Sequence, residues 1–505
     1  MKTYLRILKQ EYYDSVTLMA LTASLKKQFP NDDIIFLMGT PMNVTLIKDI
    51  GFVDERLQDV TPQDCLVGIK TETQPETILD QFIHQLKSND SVMSSSQNAT
   101  VSYPSIASAN KALNANVALI SVPGTYAAYE AQQALLQGLN VMLFSDNVSV
   151  EDEISLKTFA LQQDRLLMGP DCGTAIINGV GLAFANQVAR GSIGIVAASG
   201  TGLQEVTVLI DRFGGGISQA IGIGGRDLSE KVGGKMMLYG IDLLNRDEQT
   251  KVITLISKPP SPIVYEKILA KLKEVHKPVV IGFIDGKKPE NSDYFHASTL
   301  AETAFLSLQQ AHIHVPDFEQ MTDGQMLAAS ALKQTHRFIR GLYCGGTLCA
   351  EALSLTRHKL SPVYSNVSKK TSEQPADVFK SQGHCFIDLG DDIFTNGRPH
   401  PMIEPTLRLE RILQEAKDPG MGVLLLDFEL GFGSHEDPVG THLDTLKQFQ
   451  KLRPDVVIIA YVCGTENDSQ VLSIQERKLK DIGVRLATSH AQAVRFAIAV
   501  ILGGK

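Results

Sequence analysis

Along most of the chain short apolar runs alternate with helical stripes, the rhythm of parallel α/β structure, in which strands buried on both faces read as near-continuous Val, Ile and Leu. From residue 191 to about 330 the runs SIGIVAAS, ISQAIGIG, VITLIS, PVVIGFI and HIHV predict five strands; FIRGLY, CFIDLG, VLLLDF, VVIIAYV and VRLAT predict five more in 337–505. Both sets place a glycine turn directly behind their first strand, Ser199-Gly200-Thr201-Gly202 and Cys344-Gly345-Gly346-Thr347. They read as a divergent repeat of one fold. Upstream, VALISV, NVMLFSD and RLLMGPD predict a three-strand half within 111–190. Residues 3–88 alternate strand and helix as a small unit filling 1–90, and the polar, serine-rich stretch that follows predicts a linker over 91–110.

The stretch Arg190 to Glu230 carries the sharpest local signal. Its apolar strand runs into Ser199-Gly200-Thr201-Gly202, where glycines let the backbone turn and present unpaired N–H groups at the start of a helix. Anions bind at such helix starts. Leu203, Val206, Leu209, Ile210 and Phe213 form the stripe that docks the helix on a sheet, and the glycines at 214–216 end it. The fold class is therefore α/β: a Rossmann-like N-terminal region followed by two flavodoxin-like parallel domains. Such sheets take ligands beyond the carboxyl ends of their strands, so two glycine turns can face one anion.

At 505 residues, 43% hydrophobic, the chain can bury several cores. A net charge of −9 and no basic stripe argue against nucleic acid as partner. The amino terminus lacks the apolar core of a signal peptide, and no apolar run approaches the roughly 20 residues that cross a bilayer, so a cytoplasmic protein without a membrane partner is expected. The six cysteines are scattered with no Cys-x-x-Cys pair, against structural zinc or a disulfide framework. No metal is assigned.

Ser199-Gly200-Thr201 with Glu205, followed by Ser218-Gln219-Ala220-Ile221-Gly222-Ile223-Gly224-Gly225, resembles the ligase domain of the succinyl-CoA synthetase α subunit and of ATP-citrate lyase. Gly169-Pro170-Asp171-Cys172 is similar to that superfamily's Gly-Pro-Asn-Cys, and Val122-Pro123 to its Val-Pro-Pro, with Gly124 in place of the second proline. Phrases such as MGPDCGTAIING, GGRDLSEKVGG, SKPP, CGGTLC, TNGRPHPMIEP and GFGSHEDPVG look like those of FdrA-type, acyl-CoA synthetase-like proteins. The resemblance implies a CoA-binding-like half over 111–190, a ligase domain of the α-subunit kind over 191–330, and one like the end of the β subunit over 337–505.

It also implies roles. Ser199, Gly200, Thr201, Gly202, Gly345, Gly346 and Thr347 would bind phosphate; Glu205 matches a glutamate that orients a phosphohistidine; Pro123, Asp171 and Cys172 would touch a CoA-type cofactor. The phosphohistidine of the synthetases stands in a Gly-His-Ala-Gly loop, where this chain reads Asp293-Tyr294-Phe295-His296-Ala297-Ser298, so His296 is not expected to carry a phosphoryl group. Arg226 is an addition to the family's Gly-Gly-Asp, and a guanidinium there can clamp a carboxylate or phosphate. In the last domain Asp391, Asp392, Thr395, Asn396, Arg398 and His400, with His435-Glu436-Asp437, crowd the strand ends; Arg398 and His435 are the expected substrate contacts.

The chain has no Gly-x-x-x-x-Gly-Lys-Ser/Thr loop and no segment assignable to an ATP-grasp domain. The expected ligand is phosphate or an acyl phosphate such as carbamoyl phosphate. The resemblance implies carbamoyl transfer of the oxamate carbamoyltransferase kind, in purine (allantoin) catabolism, by an oligomer with companion subunits. The alternatives are an acyl-CoA ligase completed by an ATP-grasp partner and a non-catalytic scaffold or metabolite sensor.

Overall fold

The computed structural model describes residues 2–503 apart from 12, 14–17, 19–20, 23–24, 27, 30–31, 73, 84–101, 287–288, 290–291, 317–320, 322, 333–336 and 396–397. The chain divides into two compact units, Met1–Tyr103 with Asn396–Pro399, and Pro104–Thr395 with His400–Lys505.

In the first unit β1 (Lys2–Leu8), β2 (Asp33–Met38), α1 (Pro41–Asp49) and β3 (Cys65–Thr71) follow in order. β3 inserts between β1 and β2 and runs antiparallel to both. Thr40 caps α1 by accepting from Asn43 N, and Pro at the first turn presets the helix. Phe36 and Phe82 stack in its core with centroids 3.9 Å apart.

The second unit opens with α2 (Ile106–Leu113), so the final part of the expected linker is helical; residues 91–101 of that stretch lie outside the described residues. β4 (Val117–Ile120), α3 (Gly124–Leu136), β5 (Asn140–Leu143), α4 (Val150–Gln162) and β6 (Leu167–Met168) form the three-stranded parallel sheet β4-β5-β6. A hairpin of β7 (Thr174–Ile177) and β8 (Val180–Ala183) leads into the first repeat. That repeat comprises β9 (Arg190–Ala197), α5 (Gly200–Arg212), β10 (Ile217–Gly222), α6 (Lys235–Arg246), β11 (Val252–Ser257), α7 (Pro262–Leu272), β12 (Val279–Phe283), β13 (Phe295–Ala297) and α8 (Leu300–Gln310).

After α9 (Asp323–Ala331), the second repeat comprises β14 (Phe338–Tyr343), α10 (Gly346–Arg357), β15 (Val363–Ser365), β16 (His384–Asp388), α11 (Asp392–Thr395), α12 (Thr406–Glu415), β17 (Met421–Glu429), α13 (Leu443–Leu452), β18 (Val457–Cys463), α14 (Leu472–Asp481), β19 (Arg485–Leu486) and α15 (His490–Leu502). The sheets run β13-β12-β11-β9-β10-β7-β8 and β15-β16-β14-β17-β18-β19. Without the edge additions, both have the flavodoxin-like order 2-1-3-4-5, which puts the first strand of each repeat beside the switch point. The expected strand HIHV is instead a turn, in which His312 is left-handed at φ 60°; the fifth strand is the short β13 before α8.

Strand burial alternates between two cores. Ile193, Ile195 and Ala197 of β9 face one and Val196 the other; in β17, Val423 and Leu425 share the first core, while Leu424, Leu426 and Phe428 face a third. The shared core is a layer of α5, α8, α10 and α15 between the two sheets. α5 is accordingly buried all round from Gly202 to Ile210, not along one stripe.

Candidate functional site where two helix starts meet

The two glycine turns touch. Ser199 Oγ and Thr347 Oγ1 lie 2.6 Å apart, and Thr347 N–H donates to Thr201 Oγ1 at 3.4 Å, so α5 and α10 meet start to start. Both positive helix ends converge on one spot, which favours negative charge. Part of that potential is spent internally. Gly202 N–H donates to Ser199 Oγ at 2.9 Å, and the buried Asp427 carboxylate accepts from Cys344 N–H and Gly345 N–H, both at 2.9 Å. The N–H groups of Gly200, Thr201 and Gly346 have no hydrogen-bond partner among the described residues. A Cβ on Gly202 would stand 2.4 Å from Ser199 Oγ and 3.1 Å from Thr347 Cγ2, so glycine there is required first by the Ser199 cap, with the facing helix a tight second contact.

Two further side chains border these N–H groups, and a third, Lys258, acts on one of them through its charge. Thr174 Oγ1 is buried without a partner and lies 3.9 Å from where Gly200 would carry a Cβ. Asp388 Oδ2 lies 2.5 Å from the corresponding point on Gly346. Burial pushes the Asp388 carboxyl up to about 7, against the Gly390 N–H and the charge of Lys258. Lys258, half-buried just after β11, acts electrostatically on Asp388 and Cys349 and has no hydrogen bond or ion pair among the described residues. Sequence reasoning assigned no role to Lys258 or Asp388. The signals were the SKPP phrase at one strand end and the aspartate closing CFIDLG at another.

Glu205 does not reach the turns. It is fully buried in the helix layer, where Oε1 accepts from His490 N–H at 3.1 Å. Burial pushes its carboxyl up to about 7, against the Tyr461 hydroxyl and the His490 charge. Its counterpart Glu351, on α10, accepts from Leu300 N–H at 2.6 Å through Oε1, while Oε2 pairs with His490 Nδ1 at 2.5 Å. The glutamate on the first helix of each repeat thus caps the last helix of the other.

Arg226 is 42% exposed, paired with buried Glu153 at 3.0 Å and donating to Val148 O at 2.8 Å. Behind it Lys157 joins Glu153 and Asp227, each at 2.8 Å. Arg398 is exposed and falls with the N-terminal unit. His435 is half-buried and lines a cavity with Cys344, Arg408 and His442. His296 sits within β13, bonded to Ser292 at 2.8 Å. Pro123 begins α3, Asp171 is an exposed left-handed residue, and the buried Cys172 thiol, pushed up to about 12 by burial, donates to Gly222 O at 3.3 Å.

A doubly repeated parallel fold with opposed helix starts defines an acyl-CoA synthetase-like protein, and the comparisons agree. Residues 342–500 match the CoA-ligase family, 189–284 the CoA binding domain, and 1–102 the domain described as "AllF, heavy metal-associated domain". Uncharacterized protein YahF of Escherichia coli (strain K12) is 43% identical over 504 residues, 98% of each chain. The α subunit of succinate–CoA ligase [ADP-forming] from Aquifex aeolicus (strain VF5) is 30% identical over 204 residues, 39% of this chain and 66% of that subunit. Among solved structures, the apo dinucleotide-forming acetyl-coenzyme A synthetase 1 of Ca. Korarchaeum cryptofilum aligns with 80% of this chain and 85% of its own at 13% identity, with a TM-score of 0.34. The chain belongs to the succinyl-CoA synthetase/ATP-citrate lyase superfamily.

Two groups implied by these names are testable on the residues. The CoA-binding match overlays the sheet that carries Gly200, not the sheet β4-β5-β6. In that smaller sheet's segment no Lys or Arg occurs from Ala112 to Leu156, and the cations that touch it, Lys157 and Arg226, are both paired with Glu153. The first 102 residues contain one cysteine, Cys65, buried on β3 with its thiol pushed up to about 12 by burial, so they offer no thiol pair to a soft metal. No helix among the described residues is long and apolar enough to cross a membrane.

Proposed function

We propose that this chain is the phosphate-handling subunit of an acyl-group transferase that uses an acyl phosphate of the carbamoyl phosphate type. The observation that carries this reading is the meeting of the α5 and α10 starts, with the Gly200, Thr201 and Gly346 N–H groups unspent and Lys258 acting electrostatically on the neighbouring Asp388. The N–H groups and the Lys258 ammonium would hold the phosphate and take up the charge that grows on it as the carbonyl carbon–oxygen bond breaks. An acceptor amide nitrogen forms the new bond to that carbon and must lose a proton. Asp388, with its carboxyl near 7, is placed to accept it. A small amide acid such as oxamate suits the acceptor role, and the α-subunit naming of the Aquifex relative supports the expectation of companion subunits.

Assembled with its companions, the chain should convert carbamoyl phosphate and oxamate to the carbamoylated amide and phosphate. Lys258→Ala should lower kcat/KM by about 10²-fold or more, and Asp388→Asn by about 10²–10⁴-fold with loss of the ionisation near pH 7. Unchanged rates in both folded variants would remove the turns from the chemistry. The CoA-ligase and CoA-binding matches favour one alternative, an acyl-CoA ligase completed by an ATP-grasp partner. Acyl-CoA formed from ATP, acid and CoA by the assembly, with indifference to carbamoyl phosphate, would establish that alternative. Ligand-induced stabilisation separates the two before any partner is in hand: roughly 2.7 kcal/mol is expected at about one hundred times the Kd, from carbamoyl phosphate in one case and CoA in the other.

A further inference from the structure

The hydroxyls of the two glycine turns are engaged with one another, and a neighbouring one is not. Ser199 Oγ and Thr347 Oγ1 share a hydrogen bond of 2.6 Å, Ser199 Oγ also accepts from Gly202 N–H, and Thr201 Oγ1 accepts from Thr347 N–H. Thr174 is 1% exposed, yet its Oγ1 has no hydrogen-bond partner among the described residues. A buried hydroxyl left bare costs stability that a valine of nearly the same shape would not. We infer that the Thr174 hydroxyl is a further donor of the phosphate site, reaching the phosphoryl group from the β7 side of the α5 start. This role rests on the reading of the paired helix starts as a phosphate site.

Topology explains how Thr174 comes to be there. β7 runs antiparallel to β10 with Ile176 opposite Ala220, so Thr174, the first residue of β7, falls beside Gly222, the last of β10. A Cβ on Gly222 would stand 2.3 Å from Thr174 O. Because β10 is parallel to β9, Thr174 stands at the carboxyl edge of the sheet, the edge from which the Ser199 turn leaves. Its main chain is committed to Ala183 across the hairpin and, through the carbonyl, to Cys172 Sγ at 3.6 Å. That leaves the hydroxyl for a ligand.

Gly200 supplies the room. A Cβ there would meet only Gly173 Cα and Thr174 Oγ1, both at 3.9 Å, an ordinary contact distance, and the Gly200 backbone is not left-handed. Neither packing nor backbone conformation therefore demands glycine at the first position of α5, and glycine carries an entropic cost. Gly202 differs, since a Cβ on it would collide with Ser199 Oγ. A glycine that the fold does not require keeps open a space beside the free Gly200 N–H, bordered by the Thr174 hydroxyl. A phosphoryl oxygen seated there accepts from both, and hydrogen bonds to an anion are stronger than those between neutral groups.

The test is calorimetric titration of the full chain with inorganic phosphate at fixed ionic strength, together with thermal midpoints in phosphate-free buffer. Thr174→Val should weaken phosphate binding at least about tenfold, while its phosphate-free midpoint equals or exceeds that of the wild type. Thr174→Ser, which keeps the donor, should bind within about threefold of the wild type. Gly200→Ala should fold at least as well without phosphate and bind it about fivefold more weakly or worse, because the methyl group fills the space. A lower phosphate-free midpoint for Thr174→Val would give the hydroxyl a structural partner and overturn the inference. Equal phosphate affinity in the wild type, Thr174→Val and Gly200→Ala would also overturn it, while leaving the phosphate site at the helix starts in place. A wild type that does not bind phosphate would remove that site, and the role of Thr174 with it.

Discussion

Glu205 looks from its neighbourhood like a glutamate that either serves a ligand or faces water, and in the fold it does not face water. Its carboxyl is enclosed, and burial raises it from the ordinary 4.5 to about 7. The folded state therefore keeps a proton that the unfolded chain releases above about pH 4.5. Stability from this group is complete below that pH and drains away as pH rises to about 7, a loss of about 3 kcal/mol that stays constant above. Glu205→Gln should remove this dependence: relative to wild type it should gain stability between pH 5 and pH 8 in denaturant titrations. Parallel losses in the two proteins would mean that the carboxyl is already ionised in the fold. The turn glycines were legible because a turn between apolar strand and helix needs them. Lys258 and Asp388 were not, because each ends a different strand and only the sheet order lets the charge of one act on the other. Gly202 is more constrained than the sequence implied. A β-branched residue there meets Ser199 Oγ and Thr347, so Gly202→Val should cost stability as well as anion binding.

Between elements, the informative relation is the exchange of caps. Glu205 and Glu351 occupy the same turn of α5 and α10, and each accepts the first N–H of the other repeat's final helix, α15 or α8. Thr299 and Ser489 complete those helix starts with equivalent side-chain caps, to Glu302 N–H and Gln492 N–H. Glu351 carries an extra load, because His490 Nδ1 also depends on it. Glu351→Ala should thus destabilise more than Glu205→Ala, by roughly 1 kcal/mol or more, as two buried donors rather than one lose their acceptor. Equal costs in urea unfolding would show that the His490 ring finds another partner. Most strands and both first helices could be read from periodicity, since each is a run of apolar residues bounded by glycine or charge. HIHV could not, because its alternation imitates a strand while the chain there is leaving α8 through a left-handed turn at His312. The polar face of α5, with Gln204, Glu205 and Thr207, was equally misleading. It is buried by partners far along the chain, Gln204 donating to Phe184 O at 2.6 Å and Glu205 accepting from His490.

Across the large unit, the repeat is more than a duplication, because neither sheet has a helix layer of its own on the inner side. α5 and α8 from the first repeat and α10 and α15 from the second fill one core, in which Ile195, Val208, Leu348, Leu425 and Ala497 belong to a single cluster. Separating the repeats would bare that whole layer to water, at about 25 cal/mol per Å² of apolar surface, and would orphan the N–H groups of His490 and Leu300. The two sheets should accordingly open together. Native-state hydrogen exchange should give the amides of β9 and β17 one common opening free energy, since stability units follow shared cores rather than sequence halves. Ala497→Leu, which overfills α15 at a fully buried position, should lower both by the same amount, about 1–3 kcal/mol. A drop confined to β14–β18, with β9–β12 still protected, would mean that the first repeat folds on its own and that the opposed helix starts are assembled by docking rather than built into one cooperative fold.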